Sequence, residues 1–215
     1  MPCRAAAWGL QMRGARSAAR ESRFARGGES GSIGAYDTFD ASSLRMTMLH
    51  ALRVLDGILA ISPLPGAGGD LVGDLQHVAD WRPSLVISLV SVAEFEAAGA
   101  GSVGSFIADH GARWEHLPIV DFGVPCAAFE DRWPEVSRAA LHALQGGGRV
   151  LVHCRGGCGR SGMVALRLMI EAGDAPDEAL SRLRGVRPCA VETEAQMGWA
   201  LAAEREAAVF HRHGD

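Results

Sequence analysis

The sequence predicts an α/β fold, a central and mainly parallel sheet flanked by helices. Three observations predict it. The runs "SLVISLV" (84–90) and "RVLVHC" (149–154) are continuously apolar and rich in β-branched residues, as strands buried on both faces are. Segments of helical period separate them. A hairpin signal opens the pattern.

The elements follow in order. "HALRVLDGILAIS" (50–62) reads as two short strands around Asp56-Gly57, a favoured hairpin turn. Pro63, Pro65 and the glycines after them make a loop. "DLVGDLQHVADW" (70–81) has helical spacing. After the strand 84–90, Ser91 and Glu94 form a capping box that opens the helix "VAEFEAAG". A helix around 103–110 stops at Gly111, and "RWEHLPIV" (113–120) reads as a strand. Residues 127–147 read as a helix with a glycine stop, its first part interrupted by Pro134. The strand 149–154 precedes three helical segments, 161–172, 176–185 and 193–210. Pro176 suits the first turn of the second.

Residues 1–45 differ from the rest. They carry seven Arg, many Ala, Ser and Gly, and little apolar periodicity, and read as a disordered extension. A transit peptide and a mis-assigned start are the alternatives. A single domain is expected over 46–212. Hydrophobic residues make up 48% of the 215, enough for a substantial core, and no apolar run is long enough to span a membrane. The net charge of −4 gives no global field for nucleic acid. Every basic residue is Arg; there is no Lys. The five cysteines are irregularly spaced with no secretory signal, which points to free thiols in a reducing, cytoplasmic setting.

The chemistry concentrates in "GGRVLVHCRGGCGRSGMVALRLM" (147–169). A buried strand ends at His153-Cys154, and a helix begins near Ser161-Gly162. The loop between them must wrap tightly, and Gly156, Gly157 and Gly159 permit unusual backbone angles. Such a loop and the helix N-terminus turn N–H groups inward and form an anion site. That field favours the thiolate of Cys154. Arg160 adds a planar fork for two phosphate oxygens. Nucleophile, cradle and clamp together suit attack of sulfur on phosphorus. A nucleotide-binding phosphate loop is excluded, because it needs Lys. A zinc site at His153, Cys154 and Cys158 lacks a second ligand pair. A plain buried cysteine would not need the His-Cys-x5-Arg-Ser constellation.

"VHCRGGCGRSG" (152–162) resembles the signature of the cysteine-dependent protein tyrosine phosphatase superfamily. The short chain is most similar to its dual-specificity branch, and to compact enzymes of the cyclin-dependent kinase inhibitor phosphatase type, over roughly residues 48–200. The resemblance implies a protein-tyrosine-phosphatase-like fold and hydrolysis of phosphomonoesters on phosphoproteins. Cys154 is then the nucleophile, Arg160 binds phosphate and transition state, Ser161 stabilises the leaving thiolate, and His153 tunes the thiolate. Residues 155–160, including Arg155 and Cys158, bind phosphate. The family's general acid, on a loop about thirty residues upstream, matches Asp121 in "LPIVDFGVP" (117–125), with Glu130 and Asp131 as fallbacks. In "RPCAVETEAQMGW" (187–199), Gln196 matches a residue that positions water; Glu192 and Glu194 are expected to contact the loop or cap a helix.

Two residues depart from the pattern. Cys158 lies where relatives often carry a hydrophobic residue, and suggests a redox partner for Cys154, with Cys126 and Cys189 as other candidates. Arg155 widens the positive field and suits acidic phosphopeptides or multiply phosphorylated small molecules; inositol phosphates or phosphorylated lipids are the alternative substrate class. A phosphate-binding pseudophosphatase is the non-enzyme alternative, disfavoured because Cys154, Arg160 and an acid are all kept. No metal and no organic cofactor is implied, since Arg160 and backbone amides already neutralise phosphate.

Overall fold

The computed structural model describes residues 47–203. The extension 1–45 and the expected run of the last helix to 210 lie outside the described residues.

The order is β1 (His50–Val54), β2 (Gly57–Ser62), α1 (Leu71–Trp81), β3 (Leu85–Ser88), α2 (Val92–Ala97), α3 (Val103–Asp109), β4 (Arg113–His116), α4 (Ala127–Gln145), β5 (Arg149–His153), α5 (Gly159–Glu171), α6 (Pro176–Val186) and α7 (Glu194–Leu201). The strands form one five-stranded sheet in the order β1-β2-β5-β3-β4. Only the β1–β2 pair is antiparallel. β5 is central, so its carboxyl end opens at the middle of the sheet, where α/β proteins place their ligands.

Alternate residues of the buried strands feed two cores. Leu59, Ile61, Ile87, Val150 and Val152 face α4, α5, α6 and α7; Ala60, Val86 and Leu151 face α1, α2 and α3. The continuous apolar strands are therefore covered on both sides, at roughly 1.5–3 kcal/mol for each large side chain buried. α5 is buried from Gly159 to Leu166 without a break, since helices and sheet surround it. Asp74 is buried on α1 and accepts from Thr47 N (2.5 Å) and Gly66 N (2.8 Å), tying the first described residue into the fold.

Three expectations are corrected. The hairpin turns at Leu55-Asp56, not Asp56-Gly57, because Val54 pairs with Gly57 and Leu55 takes φ +53. Gly57 is needed for space: a Cβ there would lie 2.4 Å from Gly148 O. Pro134 does not interrupt α4. It lies on the exposed face, while Phe129, Trp133, Val136, Ala140 and Leu144 anchor the opposite one. The strands expected over 84–90 and 113–120 keep only four residues each; beyond Ser88 and His116 the chain leaves the ladder to build the site.

Candidate active site

The site gathers at the carboxyl ends of β3, β4 and β5. Register places His153 beside Ser62 and Ser88. Leu89 N bonds His153 O (3.0 Å) and Ile119 N bonds Leu89 O (2.9 Å), which draws the loop of Asp121 over the end of the sheet.

Cys154 follows β5 at 3% exposure, with a free thiol 3.3 Å from Ser161 Oγ. The carbonyls after it are all engaged from outside the loop. Leu64 N bonds Arg155 O (3.2 Å). Arg187 donates to Gly156 O (2.9 Å) and Gly157 O (3.1 Å). Gly162 N (2.8 Å) and Val191 N (3.4 Å) reach Cys158 O. In a trans peptide the next N–H points opposite to the carbonyl. The amides of Gly156, Gly157, Cys158 and Gly159 therefore turn to the inside of the loop, as an anion cradle requires.

Of the three loop glycines, only Gly157 takes a positive φ, +68°, and a Cβ there would lie 2.5 Å from Ser62 C. At Gly159 a Cβ would meet only side-chain ends, 2.2 Å from Glu192 Oε2 and 2.9 Å from Gln196 Oε1, so a larger residue would have to displace the exposed Glu192 and shift Gln196. Nothing in the structure requires glycine at 156.

Arg160 is 1% exposed and fully oriented. Nη1 donates to Glu94 Oε2 (3.0 Å) and Ile119 O (3.0 Å); Nη2 donates to Glu94 Oε1 (2.8 Å) and lies 3.0 Å from Asp121 Oδ1. Nε is buried with no partner. Burial opposes the Arg160 charge, but the Glu94 hydrogen bonds and the nearby Cys154, Glu94 and Asp121 outweigh it and hold its pKa above the ordinary value. Burial also pushes the Glu94 carboxyl up, while bonds from Arg160 and Ser91 bring it below the usual range. Glu94 was legible only as the capping-box partner of Ser91, a box the structure contains. Its second task joins residues 66 positions apart, with no local sequence signal.

His153 is fully buried, and desolvation, then His116 and Arg160, bring its pKa down to about 3. Nε2 lies 2.6 Å from Ser88 Oγ, which also accepts from Trp114 Nε1 (2.8 Å). Indole can only donate, so the serine proton is free to go to Nε2. The imidazole proton then rests on Nδ1, which is buried with no hydrogen-bond partner.

Asp121 is half-exposed on a loop that bares Val120, Phe122 and Val124. Phe122 takes φ +55, an uncommon backbone state for a bulky residue. The fallback Glu130 accepts from Trp199 Nε1 (2.5 Å); it is Asp121 that reaches Arg160. Gln196 is fully buried, and its amide links two loops: Nε2 donates to Gly123 O (3.2 Å) and Oε1 accepts from Glu192 N (3.0 Å). Glu194 opens α7, which Thr193 caps. Arg155 is exposed. Among the described residues, no group of three or more His, Cys, Asp and Glu could hold a metal, and no helix could cross a membrane.

The expectation of free thiols is corrected at two positions. Cys158 is joined to Cys189 across 31 residues, with Cα atoms 5.3 Å apart. The α6–α7 connection runs against the phosphate loop and brings Cys189 within reach. Cys158 is thus not paired with Cys154.

Among solved structures, the chain is 30% identical to Tk-PTP in its active form, covering 74% of this chain and 95% of that one, with a TM-score of 0.55. The chain belongs to the cysteine-dependent protein tyrosine phosphatase superfamily. Kinase associated phosphatase, with its catalytic-site cysteine substituted by serine, shares the fold at TM-score 0.65, 21% identity and coverage of 73% and 93%. PTPMT1 in complex with PI(5)P shares it at TM-score 0.55, 19% identity and coverage of 70% and 91%. No family model matches, and no curated protein matches. The chain is therefore a phosphatase of the protein-tyrosine-phosphatase type, with the α/β fold that its sequence predicts.

Proposed function

We propose that this protein hydrolyses phosphomonoesters of phosphoproteins through a phospho-cysteine intermediate. One observation carries the reading: Arg160 keeps a buried, unpartnered Nε beside a loop whose amides converge at Cys154. A buried donor without a partner is costly, and a phosphate oxygen would satisfy it.

In the first step Cys154 Sγ bonds to phosphorus as the ester P–O bond breaks. Asp121 gives its proton to the departing oxygen. The loop amides and Arg160 hold the equatorial oxygens. In the second step water attacks phosphorus, the S–P bond breaks, and Asp121 takes the proton. Ser161 Oγ, 3.3 Å from Sγ, stabilises the leaving thiolate. Ester and water become alcohol and phosphate, with no cofactor. His153, buried and held neutral beside Ser88, transfers no proton. Gln196 orders the acid loop with one Nε2 proton, and its second Nε2 proton is left to place a water.

The exposed Val120, Phe122 and Val124 offer an apolar flank to an aryl or peptide group. Arg187 is spent on loop carbonyls, which leaves Arg155 as the exposed cation of the loop and favours one phosphate over several. The domain we assign is 46–212. We place it in the cytoplasm, where Cys154 stays reduced; the Cys158–Cys189 bond makes its redox state there a direct check.

The test is hydrolysis of p-nitrophenyl phosphate by the protein reduced at Cys154, without metal, beside Cys154→Ser. Phosphotyrosine peptides and inositol phosphates are then compared. Activity that vanishes with Cys154→Ser supports the reading. A wild type that is inert yet binds tungstate makes the loop a recognition module, and preference for inositol phosphates replaces the protein substrate.

A further inference from the structure

The α6–α7 connection does more than pass the loop. Arg184 holds it from below, donating to Ala190 O (3.1 Å) and Val191 O (3.3 Å). Val191 is held at φ +65, a rare state for a β-branched residue that persists only where its surroundings over-determine it. From this strap, Cys189 reaches over to Cys158 at the centre of the phosphate loop. The other strap contact at that residue is the long Val191 N to Cys158 O bond of 3.4 Å. The covalent link adds to the bonds that Arg187 makes to Gly156 O and Gly157 O, and fixes Cys158, whose own N–H faces the anion, to the strap.

We propose that Cys158 and Cys189 are positioning residues, and that their disulfide sets the phosphate affinity of the loop: the oxidised chain binds phosphate tightly and the reduced chain loosely. This rests on reading 154–160 as a phosphate-binding loop. The direction is opposite to inactivation by oxidation, because the bond engages the thiol nearest in sequence to Cys154 and leaves the nucleophile free. The bond forms when the two thiols give two electrons and two protons to a small-molecule disulfide, which becomes two thiols. A dithiol reverses it by exchange, closing its own disulfide. Preorganisation is the physical source of the effect, since a loop already in its bound shape loses less freedom on binding.

The Cys154→Ser protein, which has no nucleophilic thiol to confuse the result, is prepared with the 158–189 bond intact. Binding of inorganic phosphate is measured by calorimetry before and after reduction with dithiothreitol, alongside Cys154→Ser/Cys189→Ser. The reduced protein and the double variant are expected to bind roughly tenfold more weakly, the effect of loosening one or two loop hydrogen bonds. The double variant should not respond to reductant. A purely structural role would lower the number of binding-competent molecules and leave the dissociation constant unchanged. Equal constants in oxidised and reduced forms overturn the proposal alone. Binding by neither form overturns the phosphatase reading and the proposal together.

Discussion

Replacing His153 by Gln should flatten the acid side of the stability profile. His153 is fully buried, and its pKa of about 3 lies below the 6.5 of an unfolded histidine, chiefly through desolvation. The unfolded chain therefore takes the proton first. Stability from this group is complete above pH 6.5 and drains as pH falls toward the folded value. Linkage gives a loss of about 1.4 kcal/mol at pH of about 5.5 and about 2.7 kcal/mol at pH of about 4.5. Gln can still meet Ser88 Oγ but cannot titrate. Urea unfolding followed by tryptophan fluorescence at about pH 7.5, 5.5 and 4.5 measures both proteins. The variant starts lower, having lost packing against Phe95, but the slope is the readout. His50, also depressed by desolvation and then by Arg187, contributes equally to both and cancels. Parallel loss of stability in the two proteins would refute a neutral, desolvated His153.

Two other changes test the clamp and the cradle. Glu94→Gln leaves Arg160 buried with one charge-assisted partner fewer, and kcat/KM for p-nitrophenyl phosphate should fall roughly ten- to a hundredfold, with the fold kept by circular dichroism. Gly157→Ala meets both a positive φ and a 2.5 Å approach to Ser62 C; calorimetry should detect no phosphate binding, and a dissociation constant within twofold of wild type, about 0.4 kcal/mol, would show that the loop tolerates a side chain there.

The parts of the fold legible in the sequence are those governed by local rules. The continuous apolar strands placed β3 and β5, Ser91-Glu94 announced the start of α2, and His-Cys-x5-Arg-Ser marked the loop between β5 and α5. What sequence reasoning missed is long-range. The partner of Arg160 was hidden inside a capping box that fully explained Glu94 without it. Arg187 carries no local signal, and Cys189 reads from sequence only as a candidate partner for Cys154; both bear on the loop because α6 returns the chain to it. The hairpin erred by one residue because Gly57 was assigned to turn flexibility, whereas the crowding by Leu144 and Gly148 that demands glycine is tertiary. Pro134 was weighed by its local cost, and the anchored face of α4 outweighed it.

The donors of Arg160 decide how substrate enters. Glu94 takes one hydrogen bond from each Nη, and Ile119 O takes a second from Nη1, so neither of these partners can leave without unseating the guanidinium. Asp121 differs: its side chain is 52% exposed, and its loop contains the unusual Phe122 backbone. A phosphate gripped at two points needs Nε together with Nη2, and Asp121 stands at Nη2. A phosphate would therefore compete with Asp121 for one edge of the arginine. Removing that carboxylate should divide the two kinetic constants. Asp121→Asn should bind inorganic phosphate a few-fold more tightly, about 0.5–1 kcal/mol for an exposed ion pair no longer displaced. Its kcat should drop by about a hundredfold or more, most steeply for esters with poor leaving groups, because no proton donor meets the departing oxygen. Phosphate affinity by calorimetry and turnover across a series of aryl phosphates read the two effects separately. A variant that binds phosphate more weakly than wild type would mean that Asp121 supports the anion site instead of competing for it, and the displacement step would have to be abandoned.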